Sequence, residues 1–192
     1  AFSLDIVGIT GTNGKTTTTH LVRTAIDGAH GRAVTGIVGT VGHKFGDRTI
    51  AAAHTTPESD ELARVLAAMR REGATHIAME VSSIALTLRR VAAVRFRVAA
   101  FTNLTQDHLD FHGSMEEYAA AKMELFTTLA PGLAVVNVDD SFGAKIAAGH
   151  REENRQLLLK LSVVAACMFA FGYALVPFYE KICEALGVNN LA

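Results

Sequence analysis

Cysteine is nearly missing from this 192-residue sequence: only Cys167 and Cys183 occur, and the first 150 residues hold none. A disulfide framework and a paired-cysteine metal site are thereby excluded, and the cysteine-free stretch suits a reducing cytoplasm. An excess of either charge is missing too. With 18 basic and 19 acidic side chains, the chain gives no electrostatic reason to expect nucleic acid as a partner. Any chemistry must then be argued from local sites. The opening AFSLDIVGIT has no initiator methionine and no basic stretch ahead of an apolar one. No signal peptide is expected, and a fragment or trimmed chain is. The length allows one domain of ordinary size with a core that stands without disulfides.

What is present up to about Gly149 is an alternation of strand and helix signals. Ser3 to Ile9 reads as a buried strand ending in a glycine-rich turn, and TTTTHLVRTAI as a helix closed by Gly28 and Gly31. Strands are expected at Ala33 to Val38, Thr75 to Val81, Val94 to Phe101 and LAVVNV, with a hairpin at His43 to Ala53 around Gly46-Asp47. Thr56-Pro57 opens a helix with proline at its first position, running to about Glu72. Ser114 and Glu117 have capping-box spacing, which starts a helix over MEEYAAAKMELFTTL that Pro131-Gly132 closes. This order predicts an α/β fold: a mostly parallel sheet flanked by helices, with ligands at the carboxyl ends of the strands.

The second expected region, residues 150–192, differs in character. HREENRQLLLK is charged, whereas Leu161 to Phe178 carries no charge over eighteen residues. At 1.5 Å per residue that run spans roughly 27 Å, enough for a single transmembrane helix. A buried core helix is the alternative. Arg151, Arg155 and Lys160 precede the run and only Lys181 follows closely, which places the N-terminal part in the cytoplasm. Tyr173 and Tyr179 fit an interfacial belt.

GTNGKTT, Gly11 to Thr17, lies between a predicted strand and a predicted helix, the context of a P-loop. Gly11 and Gly14 let the backbone amides turn inward, Lys15 can bridge phosphates, and Thr16 can give its hydroxyl to Mg²⁺. The general pattern asks for glycine where this chain has Ile9, and a turn that only caps a helix is the alternative. HTTPES at 54–59, MEVSS at 79–83, FTNLTQDHLDFHG at 101–113 and YAAAK ending at Lys122 put further polar residues at the same sheet edge. Glu80 and His108 at adjacent strand ends could form a Mg²⁺ site. Spacing does not decide whether His54, Asp110 and His112 belong to it or are structural.

Taken together, GTNGKTTT, TTPES, MEVSS, FTNLTQDHLDFHGSMEEYAAAK and VVNVDD resemble the central ATPase domain of the Mur ligases, over about residues 3–148. The likeness is strongest to the MurE branch, which adds a third, diamino acid residue to UDP-N-acetylmuramoyl-L-alanyl-D-glutamate (UDP-MurNAc-dipeptide) in peptidoglycan synthesis. The resemblance implies ATP held by Gly11, Thr12, Asn13, Gly14, Lys15, Thr16 and Thr17, and Mg²⁺ sites at Thr16, Glu80 and His108. It also implies contacts of Thr55, Thr56, Ser82 and Arg90 with the UDP-muramoyl peptide, and a carbamylated Lys122 formed with CO₂. Catalysis would fall to Lys15, Lys122, Glu80 and His108. A carbamate would reverse the sign of Lys122, so that it holds the metal or the acyl phosphate where an ammonium would repel Mg²⁺.

One position departs from the family, which commonly reads EVSSHAL: Ile84 stands where the histidine is expected, so any polar contact there is lost. From Asn154 to about Asn190 the chain instead resembles the membrane anchor of CtaG-type cytochrome c oxidase assembly proteins, through Asn154, Met168, Phe171, Ala174, Pro177, Tyr179, Cys183 and Gly187. The expectation is a truncated, cytoplasmic ligase core over residues 1–149, fused near residues 145–152 to an inner-membrane anchor. A non-enzymatic membrane protein carrying an idle ATPase remnant is the alternative.

Overall fold

The computed structural model describes residues 4–149, 159–166 and 168. The chain divides into two units, Ala1–Ala147 and Ala148–Ala192. In the first, strands β1 (Asp5–Thr10), β2 (Thr35–Val38), β3 (His43–Phe45), β4 (Arg48–Ile50), β5 (His76–Glu80), β6 (Phe96–Phe101) and β7 (Leu133–Val136) form one sheet. Its order is β4-β3-β2-β5-β1-β6-β7. The five strands β2, β5, β1, β6 and β7 are parallel, and β3 and β4 add the expected antiparallel hairpin at one edge.

The strands at the centre are those most apolar on both faces. Ile77, Ala78 and Met79 of β5 are completely buried, as is Ile9 of β1. Each parallel connection crosses back over the sheet, carried by α1 (Lys15–His30), α2 (Ser59–Arg71), α3 (Ser83–Thr87), and the pair α4 (Leu109–His112) and α5 (Met115–Met123). α2 shows how burial selects a face: Leu62, Val65 and Met69 recur at helical spacing and are its buried residues, with Asp60 and Glu61 in the first turn and Arg70 and Arg71 in the last. Residues 141–149 are helical and send Phe142 and Ile146 into the core, where the Phe142 ring meets Phe101 edge-on at 5.5 Å.

Register carries the sheet's chemistry to one edge. Ile9 stands opposite Glu80, Thr10 opposite Phe101 and Val38 opposite Met79. The loops after β1, β2, β5 and β6 therefore start side by side.

Two expected boundaries are corrected. α2 begins at Ser59, not at Pro57, because Thr56 is tied to β5 and Glu58 is held extended at φ −60°, ψ 156° as the N-cap. α5 ends at Met123, where Leu125 and Phe126 donate to carbonyls only three residues back and tighten the chain into turns. Its start is as expected, Ser114 Oγ accepting the Glu117 N–H at 3.1 Å.

In the second unit the described residues 159–166 and 168 are helical, with exposed side chains. No helix among the described residues is long and apolar enough to cross a membrane. The transmembrane reading of Leu161 to Phe178 rests largely on residues outside those described. The same holds for Arg151, Arg155, Tyr173 and Tyr179, and for every residue of the anchor resemblance except Met168.

Candidate functional site

The turn after β1 leaves the start of α1 without a side-chain cap. Its N-cap is Gly14, in the left-handed region at φ 82° and without a side chain to cap the first turn, which carries no acidic residue. The free N–H groups and the positive end of the helix dipole make this an anion site. Gly11 is equally constrained: at φ 143°, a Cβ there would lie 1.9 Å from Thr102 Oγ1. The segment after β6 straps the loop down. Thr102 Oγ1 donates to Asn13 O at 2.7 Å, Asn13 N–H donates to Asn103 Oδ1 at 2.9 Å, and Thr12 N–H donates to Asn103 O at 2.8 Å.

Lys15 bends back over the loop, its ammonium donating to Gly11 O at 3.0 Å and Thr12 O at 2.8 Å. Burial pushes its pKa down, partly offset by Glu80 and Asp107. Thr16 Oγ1 lies 3.0 Å from both carboxylate oxygens of Glu80, a side chain only 1% exposed. Glu80 also accepts the Thr40 N–H at 3.0 Å and the Thr40 hydroxyl at 3.2 Å. Gly39 lets it approach, since a Cβ there would stand 2.2 Å from Glu80 Oε1. Together with residues 12–17 and Thr55, these groups line a cavity of about 350 Å³. The carboxylate and the Thr16 and Thr40 hydroxyls are hard oxygen donors, the set a divalent cation such as Mg²⁺ takes beside a phosphate.

On the other side of the loop, Lys122 Nζ donates to Gly11 O at 3.0 Å and lies 4.4 Å from the centroid of the Tyr118 ring. Burial, aided by repulsion from Lys15, lowers its pKa to about 7. Tyr118 OH lies 3.1 Å from Thr12 Oγ1. His108 caps α4 with φ 52°, is exposed, and has Nε2 3.5 Å from Asp107 Oδ2. Thr16 and Glu80 meet in the cavity, whereas His108 and Lys122 are not in its lining. No cluster of three or more His, Cys, Asp or Glu placed to hold a metal exists among the described residues.

The four residues expected at the muramoyl peptide gather at the end of β5. Thr56 Oγ1 donates to Glu80 O at 2.9 Å and accepts the Ser82 N–H at 3.1 Å; Arg90 Nη1 donates to Thr56 O at 3.2 Å. Arg90 also pairs with Glu58, and Ser82 Oγ caps α3 by accepting the Ala85 N–H at 3.2 Å. Thr55 reaches Thr40, hydroxyl to hydroxyl, at 3.0 Å.

Residues 9–166 match the family described as the Mur ligase middle domain. The chain belongs to this family. It is 49% identical over 152 residues to a UDP-N-acetylmuramoyl-L-alanyl-D-glutamate–2,6-diaminopimelate ligase of Geobacter metallireducens, covering 76% of this chain and 29% of the relative. It is 46% identical over 170 residues to the Pseudomonas aeruginosa protein of the same name, covering 88% and 34%. A solved structure of a ligase of that name superposes with a TM-score of 0.68 at 32% identity, covering 78% of this chain and 30% of that one. Escherichia coli FolC, solved in complex with DHPP and ADP, shares the fold alone: TM-score 0.53, 18% identity, 76% and 40% covered. The chain spans about a third of the length of the curated relatives it matches.

Within this Mur ligase domain several site residues escaped the sequence reading. Thr40 and Gly39 follow β2 in GIVGT, and a glycine-threonine pair at the end of a buried strand was the available signal. Thr102, Asn103 and Tyr118 lie in stretches singled out for the site but had no role assigned. His112 proves structural: it is 5% exposed, with Nε2 2.9 Å from Ser83 Oγ, and burial, then Lys122 and His108, lower its pKa. His54 and Asp110 are exposed. Ile84 is half-buried on α3.

Proposed function

We propose that this chain is the nucleotide-binding core of an ATP-dependent ligase of peptidoglycan precursor synthesis. ATP binds Gly11 to Thr17 with its phosphates on the start of α1 and on Lys15; Thr16 and Glu80 hold Mg²⁺. In the reaction, a carboxylate of UDP-MurNAc-L-Ala-D-Glu attacks the γ-phosphate, giving an acyl phosphate and ADP. The amine of a diamino acid, diaminopimelate in the names of the relatives, then displaces phosphate and loses a proton. Both steps concentrate negative charge, so the protein's part is positioning and electrostatic stabilisation.

The observation that carries this reading is the uncapped α1 terminus with Lys15 above it and Thr16 joined to a buried Glu80. Carbamylation of Lys122 is part of the proposal. It is supported by a pKa lowered to about 7, since only the neutral amine adds CO₂. Thr55, Thr56, Ser82 and Arg90 are assigned to the UDP-muramoyl peptide and His108 to a second Mg²⁺. The domain plan of a core at 1–149 followed by a membrane tether at Leu161 to Phe178, with the core in the cytoplasm, rests on the sequence pattern.

Calorimetric titration of the full chain with a non-hydrolysable ATP analogue tests the core of the proposal. Saturable, Mg²⁺-dependent binding that Lys15→Ala abolishes is expected. A folded chain that binds no nucleotide, or binds equally with Lys15→Ala, overturns it.

A further inference from the structure

Tyr118 and Lys122 stand one turn apart on α5, and each holds one of two consecutive residues in the turn after β1. Lys122 Nζ donates to the carbonyl of Gly11, and the Tyr118 hydroxyl meets the hydroxyl of Thr12 at 3.1 Å. The direction of the second bond follows from the other contacts of Thr12. Its hydroxyl donates to Thr105 O at 3.1 Å and accepts the Thr105 N–H at 3.0 Å. A hydroxyl has one proton and two lone pairs, and a carbonyl can only accept. The Thr12 proton therefore lies on Thr105 O, and Tyr118 is the donor. The Thr12 N–H is engaged as well, by Asn103 O at 2.8 Å. Thr12, 8% exposed, thus keeps neither hydroxyl nor N–H for a ligand and serves to tie the turn in place.

Tyr118 is itself held rigidly. It is 1% exposed, and its ring lies 4.4 Å from the Lys122 amine, 5.2 Å from the His112 ring and 6.2 Å, edge-on, from the His108 ring. Burial pushes its pKa up, partly offset by the Thr12 hydrogen bond, so the hydroxyl retains the proton that it donates. The two ties from α5 differ in kind. The Lys122 amine is the group proposed above to add CO₂, whereas Tyr118 is a neutral donor whatever the state of that lysine. We infer that Tyr118 is a positioning residue of the nucleotide site: acting through Thr12, it fixes the turn that leads into the uncapped start of α1 before any phosphate arrives. Donors held in place beforehand need no ordering when the ligand binds, and that ordering would otherwise weaken affinity.

The inference rests on the reading of this turn as an ATP site, and the test separates the two. The full chain, in non-ionic detergent on account of its apolar run, is titrated with a non-hydrolysable ATP analogue and Mg²⁺. Tyr118→Phe keeps the ring and removes only the hydroxyl; it is expected to raise Kd about threefold to tenfold, the worth of one hydrogen bond. Thr12→Val should weaken binding at least as much, and adding Tyr118→Phe to it should weaken binding no further. If Tyr118 only supported the core, the two losses would add. Amide hydrogen exchange in the nucleotide-free chain gives a second readout: Tyr118→Phe should speed exchange at Thr12 and Thr105 and leave the amides of β5 unchanged. An unchanged Kd in Tyr118→Phe, additive losses in the double variant, or unchanged exchange at Thr12 and Thr105 overturns the inference and leaves the nucleotide site standing. A folded natural chain that binds no nucleotide overturns the proposed function itself, and the inference with it. If Thr12→Val unfolds the chain, Kd and exchange in Tyr118→Phe decide.

Discussion

Lys122 Nζ and the carbonyl oxygen of Gly11 lie 3.0 Å apart across 111 residues of sequence, and the lysine is 1% exposed. The turn after β1 is thus braced by an amine whose charge is costly. The pKa falls from 10.5 to about 7 through burial first and Lys15 second. A proton that the unfolded chain binds at pH 8 is one that the folded chain has given up. The cost is therefore complete below about pH 7 and fades as pH rises toward 10.5, amounting to on the order of 5 kcal/mol. In CO₂-free buffer Lys122→Met should be more stable than the natural chain at pH 6.5, with the gap closing by pH 10. Urea midpoints at the two pH values measure it.

Gly11→Ala should cost about 1–3 kcal/mol, because the new Cβ meets Thr102 Oγ1 at 1.9 Å in a backbone conformation that alanine resists. Nucleotide binding should fall with it. Adding Thr102→Ala removes the obstructing hydroxyl, and the double variant should recover part of the stability but not all, since the φ of 143° remains. Thermal unfolding of the three variants separates the two contributions.

Glu80→Gln keeps the volume of the side chain and removes its charge. The carboxylate takes hydrogen bonds from Thr16 Oγ1, Thr40 N and Thr40 Oγ1, and an amide has only one oxygen to accept them. A loss of about 1–3 kcal/mol is expected. The Mg²⁺ dependence of nucleotide binding should weaken more than binding measured without the metal. Titrations at fixed nucleotide with and without Mg²⁺ read the difference.

His43 is 1% exposed on β3, with neither ring nitrogen hydrogen-bonded among the described residues. Burial lowers its pKa, Glu61 working against the shift. Below about pH 6.5 the unfolded chain takes up a proton that the folded ring refuses, so stability drops as the solution is acidified. His43→Leu should gain about 1 kcal/mol at pH 7 and flatten this acid slope, leaving the part due to His112. Chemical unfolding at pH 5, 6 and 7 checks both effects.

Much of the site could be read in advance because its residues sit in contiguous blocks whose chemistry is local. GTNGKTT between a buried strand and a helix announces an anion site, and the Ser114 cap with its Glu117 partner announces the start of α5. What could not be read are relations set by register. Thr40 becomes a partner of Glu80 only because β2 lies beside β5, and Asn103 straps the phosphate loop only because β6 lies beside β1. The start of α2 was misplaced for the same reason: proline suits a first helical turn, but Thr56, the residue before it, is held by β5.

By itself the sequence determined the alternating α/β plan, the phosphate loop and the blocks that polar strand ends would contribute, since those depend on periodicity, glycine and capping chemistry within a few residues. Only the tertiary structure decided that Thr16 and Glu80 share one cavity, joined at 3.0 Å. Strand order and register are chosen by burial of the whole sheet, and a side chain's neighbours across strands follow from that choice and not from its neighbours in the chain.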